Sequence, residues 1–554
     1  MSGIENSGTR DEYEQTLTLP DDGVEYRPDE DMEYRPGDEM SSSVQEKADN
    51  LSVHSNTPIP IPSPDEISLV RELLFIFFMA LAQLFTQAGV SQTINPGSEI
   101  AETFNVQDKP GEISWFSASY SLTAGTFILV SGRLGDMYGY KLIYIIGFIW
   151  YGVFSLLCGF SGFTSSAVFF DIMRSLQGVG PALVMPNATA LIGHYYPPGR
   201  KKNWAMCCFG AVAPSGFCFG AIFSGIFTQL VWWPWFFWVH GIVNFIVAFM
   251  AFFIIPKRIG SRSVKLFDWI GSVTGVSALI LINFAFNQGP NVGWDKVYVY
   301  VLLIVGFLLI VLFYLSIKKV STPIVSADAF RGETGAILGT IAAGWSSFGI
   351  WLQYSFEWSK YVDGRKPIMR AVEFIPTAFV GFLAAALTAF LLTRVPSSVV
   401  MLMAMVSFLG GIVIMGTRHV GQIYWGQKFV SLLVQCWGMD MSFPAACIIL
   451  SNSLPRHQQG IAGSLVSTFV NYSISIGLGF AGTVEYYETK NKPVNEETRI
   501  YGMRRAFYMG MGLAGLGVVL SLLFLYKQIV LEPRKNRKAE KESQNTDDKL
   551  ENEA

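Results

Sequence analysis

Residues 131–141 read SGRLGDMYGYK, a hydrophilic turn held between two strongly apolar segments. Three glycines within eight residues (Gly132, Gly135 and Gly139) let two helix ends approach closely and reverse direction. Asp136, held in such a turn, can lie near the N-terminus of a neighbouring helix and its partial positive charge. The stretch therefore predicts a tight connection between two long helices, with a carboxylate fixed at the turn.

The composition of the 554-residue chain is that of a membrane protein. Hydrophobic residues make up 51% of it and charged residues 15%, against roughly a quarter charged in soluble proteins. Residues 1–66 hold seventeen acidic and four basic residues, and residues 531–554 hold seven and six. Residues 67–530 carry a net charge of +11, so the total of −3 hides an acidic tail on a basic, apolar body.

The first 66 residues are rich in Pro, Asp, Glu and Ser, and we expect them to form a disordered cytoplasmic tail because they cannot bury enough apolar surface. A second charged tail is expected over 531–554. All six cysteines fall in apolar segments, without Cys-x-x-Cys or Cys/His spacing. We therefore expect no disulfide framework, metal site or cofactor, and no nucleic-acid partner.

Fourteen segments are long and apolar enough to cross a bilayer, which takes about 20 residues. They begin near Leu73, Ser114, Leu142, Ser166, Trp204, Trp233, Trp269, Val297, Ala336, Ala371, Val399, Ile423, Gly463 and Arg505. An even number of spans places both tails on one side of the membrane. The sequence thus predicts an all-α, multi-pass membrane protein.

Basic residues indicate which side is cytoplasmic. In the first half, one set of connections carries nine of them: Arg133, Lys141, Arg200, Lys201, Lys202, Lys257, Arg258, Arg262 and Lys265. The alternate connections carry Lys109 and Lys296 only. Both tails should therefore be cytoplasmic. An exception is the second-half connection at 360–370, which this topology places outside although it holds four basic residues.

The turn at 131–141 resembles the signature cytoplasmic loop of the major facilitator superfamily. In that family the Asp of the loop holds the two helical bundles together and controls the exchange between conformations. The matching positions are Gly132, Leu134, Asp136, Gly139 and Lys141. Met137 and Tyr140 stand where that family usually has Arg. The resemblance implies two six-helix bundles, and the two further spans near 269–287 and 297–317 would then lie between them. The expected divisions are 67–256, 257–320 and 321–530.

The fourth span contains RSLQGVGP, residues 174–181. A charge deep in a span costs about 2.5–3.5 kcal/mol, so Arg174 must face a wet cavity or a partner. Asp171 lies one turn away and could pair with it. The segment looks like the superfamily's fourth-helix motif, whose Arg is implicated in proton coupling. The alternative is a static tether from Arg174 to backbone carbonyls or to Asp171.

The fifth span, residues 210–225, contains Pro214 and small residues that suit close helix packing. The small residues that fit are Gly216, Gly220 and Gly225. The pattern resembles the antiporter motif that marks exporters within the superfamily, although Ala221 and Ser224 depart from it. Generic packing of small residues is the alternative.

The span count, with Trp115 and Tyr120 in the second span and Asp268 opening the seventh, is similar to the fourteen-span drug:proton antiporter branch. Within it, the segments WGMDMSFP at 437–444 and QGIAGSL at 459–465 most resemble the fungal aminotriazole- and boron-resistance exporters. The resemblance covers about residues 69–526 and implies a transporter rather than an enzyme.

Asp440, in the middle of the twelfth span, is the acid predicted to bind the coupled proton, because burial disfavours its charge until one aqueous side opens. Arg174 would set the proton affinity of this site, and Asp171 is the third residue predicted to take part in proton coupling. The expected cavity side chains are Gln83, Gln87, Gln177, Gln435 and Trp437.

The resulting hypothesis is a monomeric, proton-coupled antiporter that exports small toxic compounds, such as aminotriazole or boric acid, by alternating access. Its partners are the substrate, protons and the lipid bilayer, and the plasma membrane is favoured over the vacuolar membrane. The alternatives are an importer or a vacuolar carrier of siderophores or basic amino acids, and a non-transporting nutrient sensor. A primary pump is disfavoured because the chain has no phosphate-binding loop.

Overall fold

The computed structural model describes residues 69–197, 200–256, 267–320, 323–325, 327–330, 332–453, 462–493 and 495–531. The predicted N-terminal tail, residues 532–554 of the predicted C-terminal tail, the basic connection at 257–266 and the first residues of the 459–465 motif lie outside these ranges. Within them, the regular structure is helical. The all-α prediction is confirmed.

Fourteen long helices follow one another along the described residues. They are α1 (Leu69–Ile94), α2 (Pro110–Tyr138), α3 (Tyr140–Phe160), α4 (Ala167–Tyr195), α5 (Arg200–Leu230), α6 (Pro234–Ile254), α7 (Trp269–Val292), α8 (Val297–Lys319), α9 (Gly332–Tyr361), α10 (Ile375–Leu391), α11 (Ser397–Gly416), α12 (Gln427–Ser453), α13 (Ala462–Thr489) and α14 (Glu496–Tyr526). Short helices at Gly97–Thr103 and Pro367–Val372 precede α2 and α10.

Helix α4 lacks the continuous apolar stretch that the other long helices contain. In the described part of the chain, thirteen helical segments are long and apolar enough to cross a membrane, and α4 is not among them. It has 29 residues, so its length suffices, but its buried face carries Arg174, Gln177 and Asn187. A helix surrounded by other helices does not need an apolar surface for lipid. The fourth predicted span is therefore present as a helix, but it lacks the apolar character of the other thirteen.

Local capping explains several helix starts. Asp268 accepts a hydrogen bond from the backbone N–H of Gly271 at 2.7 Å, so α7 begins at Trp269 as predicted. Asn495 caps α14 in the same way. That cap corrects the predicted start at Arg505: α14 begins at Glu496, because the helix extends beyond its apolar part into a polar, charged first segment.

The helices form two bundles, α1–α6 and α9–α14. Buried apolar side chains of α1–α6 make two cores, and those of α9–α14 make a larger one. Helix α7 packs against both bundles, on α2 and α13. There, Ser475 donates a hydrogen bond shared between Asn283 Oδ1 (2.7 Å) and the Ala118 carbonyl (3.0 Å). The predicted two-bundle fold with two added helices is confirmed; the residue boundaries of the divisions stay predictions.

Two ends of this assembly are distinguished below. The loop-132 end holds the turn at 131–141 and the start of α1. The Glu99 end holds the short helix Gly97–Thr103 and the connection at 361–374. The charge pattern of the sequence predicts that the loop-132 end is cytoplasmic.

Candidate functional site

A cavity of 1660 Å³ lies between the two bundles. Helices α1, α2, α4 and α5 line one side, and α9, α10, α12 and α13 line the other. Its wall extends to the loop-132 end, where it includes Arg133, His194 and Lys202. Towards the Glu99 end, the last residues of α1 and α9 that line it are Ile94 and Gln353. The cavity therefore opens towards the side predicted to be cytoplasmic.

Asp440 lies in the cavity wall, at the middle of α12. Its Oδ2 atom is buried and has no hydrogen-bond partner in the described part of the chain. Gly381 of α10 faces it, and a Cβ atom at that glycine would lie only 3.1 Å from Oδ2. The missing side chain at Gly381 thus keeps space beside a carboxyl group that no ion pair among the described residues neutralises.

Three of the predicted cavity side chains, Gln83, Gln87 and Gln435, also line the cavity. Neither polar atom of the Gln435 amide has a partner among the described residues, and Gln83 Oε1 is likewise unpaired. Gln435 is fully buried with its Oε1 atom towards Gly411 of α11, and Gln83 is 8% exposed, so Gln87 is the most exposed of the three amides.

Gln177 and Trp437 do not line the cavity, contrary to the prediction that both are cavity side chains. Gln177 is fully buried inside the first bundle, where its amide donates to Ser155 Oγ (2.7 Å) and Gln92 Oε1 (3.1 Å). Trp437 packs on the core of the second bundle. It follows Gln435 by two residues, which is about 200° around a helix, so it faces away from the cavity.

Arg174 is fully buried in α4 and does not line the cavity. It donates hydrogen bonds to five oxygens: Gln92 Oε1 (3.0 Å), Thr93 Oγ1 (3.3 Å), the Phe116 carbonyl (3.3 Å), Gln177 Oε1 and the Gly89 carbonyl. Its guanidinium also lies 4.3 Å from the centre of the Tyr120 ring. These contacts fix α4 to α1 and α2, which is the tether that the sequence left as an alternative.

Asp171 does not pair with Arg174, contrary to the expectation from their spacing. No ion pair joins the two within the described ranges, and Asp171 Oδ1 is buried without a hydrogen-bond partner there. The reason is that the neutral oxygens of α1 and α2 already accept from the Arg174 donors. Roles for Arg174 and Asp171 in proton coupling stay predictions.

The turn at 131–141 places Asp136 beside Tyr140 and not beside a second Arg. The Tyr140 hydroxyl donates to Asp136 Oδ1 at 2.6 Å and lies 3.1 Å from His194 Nε2. Arg133 forms a longer ion pair with Asp136, 3.7 Å between the charged atoms. Tyr140 is one of the two departures from the superfamily pattern. It therefore supplies the hydrogen bond to Asp136, the acid of the motif.

Gly139 and Lys141 fix the geometry of that turn. Gly139 has a φ of +101°, a backbone conformation that favours glycine, and it joins the end of α2 to the start of α3. Lys141 Nζ donates to the carbonyls of Phe252 (2.6 Å) and Ile255 (2.5 Å) at the end of α6. Gly132 and Asp136 line the cavity mouth, whereas Gly139 and Lys141 do not.

The glycines of α5 make close helix contacts. A Cβ atom on Gly220 would lie 2.5 Å from Ala88 Cα, so α1 could not approach as it does. Gly216 faces Leu84 of α1 in the same way, and Gly225 faces the Pro367 carbonyl across the bundle interface. Pro214 lies in the cavity wall, against Gly381. The small residues of the motif thus let α5 pack closely on α1 of its own bundle and on the second bundle.

Ion pairs between the bundles close the Glu99 end. Arg370 pairs with Glu99 at 2.7 Å, and Lys360 pairs with Glu102 at 2.7 Å and with Glu99 at 3.6 Å. These four residues are called the Glu99 cluster below. Arg499 reaches Asp108 at 3.5 Å beside it. The cluster joins the first bundle to the second over the closed end of the cavity.

Electrostatics favour the charged form of the cluster. Burial alone would raise the pKa of Glu99, but the nearby charges of Arg370 and Lys360 outweigh burial and hold its pKa below the ordinary 4.5. Sequence analysis missed this cluster. Its signal was the four basic residues at 360–370, which the topology placed outside without explaining them.

Sequence analysis also missed two buried acids in the second bundle, Glu357 on α9 and Glu485 on α13, which are 9% and 3% exposed. Both lie in otherwise apolar segments, and that position was the available signal. By contrast, Glu373 is neutralised by Lys428 and by Arg365 (3.3 Å).

Two six-helix bundles around one central cavity, closed at one end by charges, define a polytopic membrane transporter. Residues 73–417 match the family described as the Major Facilitator Superfamily, and the chain belongs to that family. A solved structure of a POT family transporter in complex with a thioalcohol-conjugated peptide has the same fold, with a TM-score of 0.60 at 11% identity, covering 83% of this chain and 96% of that one.

Fungal relatives match over most of their length. An uncharacterized transporter of this type from Schizosaccharomyces pombe is 46% identical over 87% of this chain and 92% of its own. The low affinity ammonium transporter of Saccharomyces cerevisiae is 47% identical, with coverages of 83% and 89%. The aminotriazole resistance protein of the same yeast is 35% identical, with coverages of 85% and 87%. The predicted similarity to fungal drug-efflux transporters is confirmed.

Proposed function

We propose that this chain is a proton-coupled antiporter that exports small toxic nitrogen compounds, with 3-aminotriazole as the type substrate. The observation that carries the proposal is Asp440, a carboxyl group without a partner among the described residues, in the wall of a single cavity between two bundles. A buried acid that binds either a proton or the N–H groups of a substrate through its carboxylate oxygens, but not both at once, exchanges one for the other.

The rest of the cavity wall suits the same class of solute. Gln83 and Gln87 offer donors and acceptors, while Trp345, Phe348 and Trp351 supply aromatic faces. This combination favours small, flat and polar compounds that bear an amine. Boric acid remains a test substrate on the strength of the sequence resemblance alone.

In the proposed cycle, substrate reaches Asp440 from the loop-132 end while the Glu99 cluster holds the other end shut. Opening of the Glu99 end then lets a proton displace the substrate from Asp440. The basic first-half loops support an orientation in which both tails are cytoplasmic and the exit faces outward. We assign the protein to the plasma membrane as a monomer.

The test is efflux of preloaded 3-aminotriazole from proteoliposomes with and without a proton gradient. Asp440→Asn should lower gradient-driven efflux by about 5- to 150-fold, the size of a typical coupling between two bound ligands. Exchange of substrate for substrate needs no proton and should persist at substrate concentrations high enough to offset the weaker binding to the neutral amide of this variant.

Asp295→Asn is the matched control, since Asp295 is exposed in the connection between α7 and α8. It should leave both activities unchanged. Normal gradient-driven efflux by Asp440→Asn would show that Asp440 is not the coupling residue. Wild-type efflux that does not depend on the proton gradient would show that transport is not proton-coupled.

Transport of ammonium is the second candidate. It is favoured by the 47% identity to the yeast low affinity ammonium transporter and by the same Asp440 carboxyl, which would attract a small cation. Uptake of labelled methylammonium by cells that express this chain tests it. Saturable methylammonium uptake without 3-aminotriazole efflux would favour ammonium transport, and the reverse result would favour export.

A further inference from the structure

Glu357 occupies an unusual position in the second bundle. Its side chain is 9% exposed, on α9, beyond the closed end of the cavity. One carboxylate oxygen accepts a hydrogen bond from Gln353 Nε2 at 3.0 Å. No Lys, Arg or His in the described ranges forms an ion pair with it. A carboxylate without an ion pair at this depth is costly and is a candidate for function.

A chain of hydrogen bonds leads from Glu357 into the first bundle. Gln353 lines the cavity, and its Oε1 atom accepts from Ser117 Oγ of α2 at 3.3 Å. Ser117 Oγ lies 3.3 Å from Thr93 Oγ1 of α1, which in turn accepts from Arg174 at 3.3 Å. The Ser117–Gln353 bond crosses between the bundles, so it must break when the Glu99 end opens.

The charged and titratable groups around Glu357 come from three helices. Glu485 on α13 and Arg499 on α14 lie within electrostatic range. Helix α9 itself contributes Tyr354, Lys360 and Tyr361. The Tyr354 hydroxyl is committed to Glu485, at 2.7 Å, and Arg499 points towards Asp108. Gln353 is therefore the contact through which a change at Glu357 reaches the cavity.

We propose that Glu357 is a second proton-coupling residue, which acts on the bundle interface through Gln353 and Ser117. When Glu357 is ionised, the Gln353 amide is held by a charge-assisted hydrogen bond, and its oxygen stays in place for Ser117. Protonation replaces that bond with a neutral one of about half the strength. Gln353 is then freer to turn, the Ser117 bond is lost more readily, and opening of the Glu99 end is favoured.

This inference rests on the proposed proton coupling and adds to it. Asp440 exchanges proton for substrate in the cavity. Protonation of Glu357, by contrast, weakens the hydrogen bond between Gln353 and Ser117 that joins the two bundles. Glu357 is accordingly a positioning residue and does not contact substrate.

The experiment compares net efflux with exchange of labelled 3-aminotriazole in proteoliposomes, at several pH values on the Glu99 side. Glu357→Gln should lower proton-driven efflux by about tenfold, flatten its dependence on that pH, and leave exchange within about twofold of wild type. Ser117→Ala removes one oxygen of the cross-bundle bond and should weaken coupling in the same direction, by a smaller factor. Glu488→Gln, an exposed acid one turn from Glu485 on α13, is the control and should behave as wild type.

Wild-type coupling and pH dependence in Glu357→Gln would overturn the inference while leaving the proposed function intact. Wild-type protein that shows no proton-driven efflux at all would overturn both. If Glu357→Gln does not reach the membrane, Ser117→Ala decides: unchanged coupling in it would overturn the inference. Dependence of transport on Na⁺ in place of pH would also overturn it.

Discussion

The two ends of the cavity are held in different ways. At the Glu99 end, charged side chains of one bundle meet charged side chains of the other, as in the 2.7 Å pair between Arg370 and Glu99. At the loop-132 end, the described cross-bundle hydrogen bond runs from Arg133 to the Pro323 carbonyl at 3.2 Å. Arg133 and Asp136 are both partly exposed there. The Arg370 side chain is only 2% exposed, and a buried charge is costly to leave without its partner, whereas the partly exposed pair of Arg133 and Asp136 contributes little; the closed end is therefore held more firmly.

The comparison also explains the exception in the charge pattern. The connection at 360–370 is basic although the topology places it outside. Lys360 and Arg370 pair with acids of the first bundle, and Arg365 pairs with Glu373. Lys360 and Arg370 therefore stabilise a closed state, and Arg365 stabilises the second bundle, so these three charges have a structural role apart from membrane orientation.

The largest effect is expected from Arg370→Ala, which leaves Glu99 with one weaker partner and opens the Glu99 end. Labelling of the cavity thiols Cys436 and Cys447 by an impermeant maleimide applied from that end should accelerate by about tenfold or more, as a buried charge loses its partner. Arg365→Ala is the matched control, because its ion pair lies within the second bundle. Equal acceleration in both variants would show that the Glu99 cluster is not the closure.

A smaller, pH-dependent effect is expected from the Glu99 carboxyl. Because its pKa is held below the ordinary 4.5 by Arg370 and Lys360, its contribution to closure is complete above about pH 4.5 and is lost as pH falls through the lowered pKa. The contribution of Glu99 to closure should thus be constant in the neutral range and be lost only in acid. Spin-label distances between Phe163→Cys and Val420→Cys, exposed sites on the two bundles at this end, would report it.

The Glu99→Gln variant supplies the control for that titration. Its inter-label distance should be longer at neutral pH and should change less in acid. A transition of unchanged size in Glu99→Gln would assign the acid opening to another group.

The smallest effect is expected at the other end. Arg133→Ala removes the bond to Pro323 and the 3.7 Å pair with Asp136. The conformational equilibrium should move by less than about 1 kcal/mol, as for exposed ion pairs. The same spin-label distances measure this change in the conformational equilibrium. A shift as large as that caused by Arg370→Ala would show that the two ends are held equally firmly.

What the sequence could predict follows from local chemistry. Helix α7 begins where Asp268 caps it, and Asp440 lines the cavity because acids in apolar spans need a wet or paired environment. Spacing alone could not place Gln177 or Trp437, since the face that each presents depends on how α4 and α12 are rotated within their bundles. The contacts of Arg370 with Glu99, and of Gln353 with Ser117, join residues more than 200 positions apart. Only the packed bundles bring such residues together.

Helix α4 has a consequence for biogenesis. A segment with Asp171 and Arg174 inserts poorly into lipid as an isolated helix, because each charge meets hydrocarbon. Its acceptors are supplied by α1 and α2, which are synthesised before it. The nascent chain is therefore expected to retain α4 beside the translocon until it docks on those two helices. Substitutions at Gln92 or Thr93 would then lower the yield of inserted protein before they could affect transport.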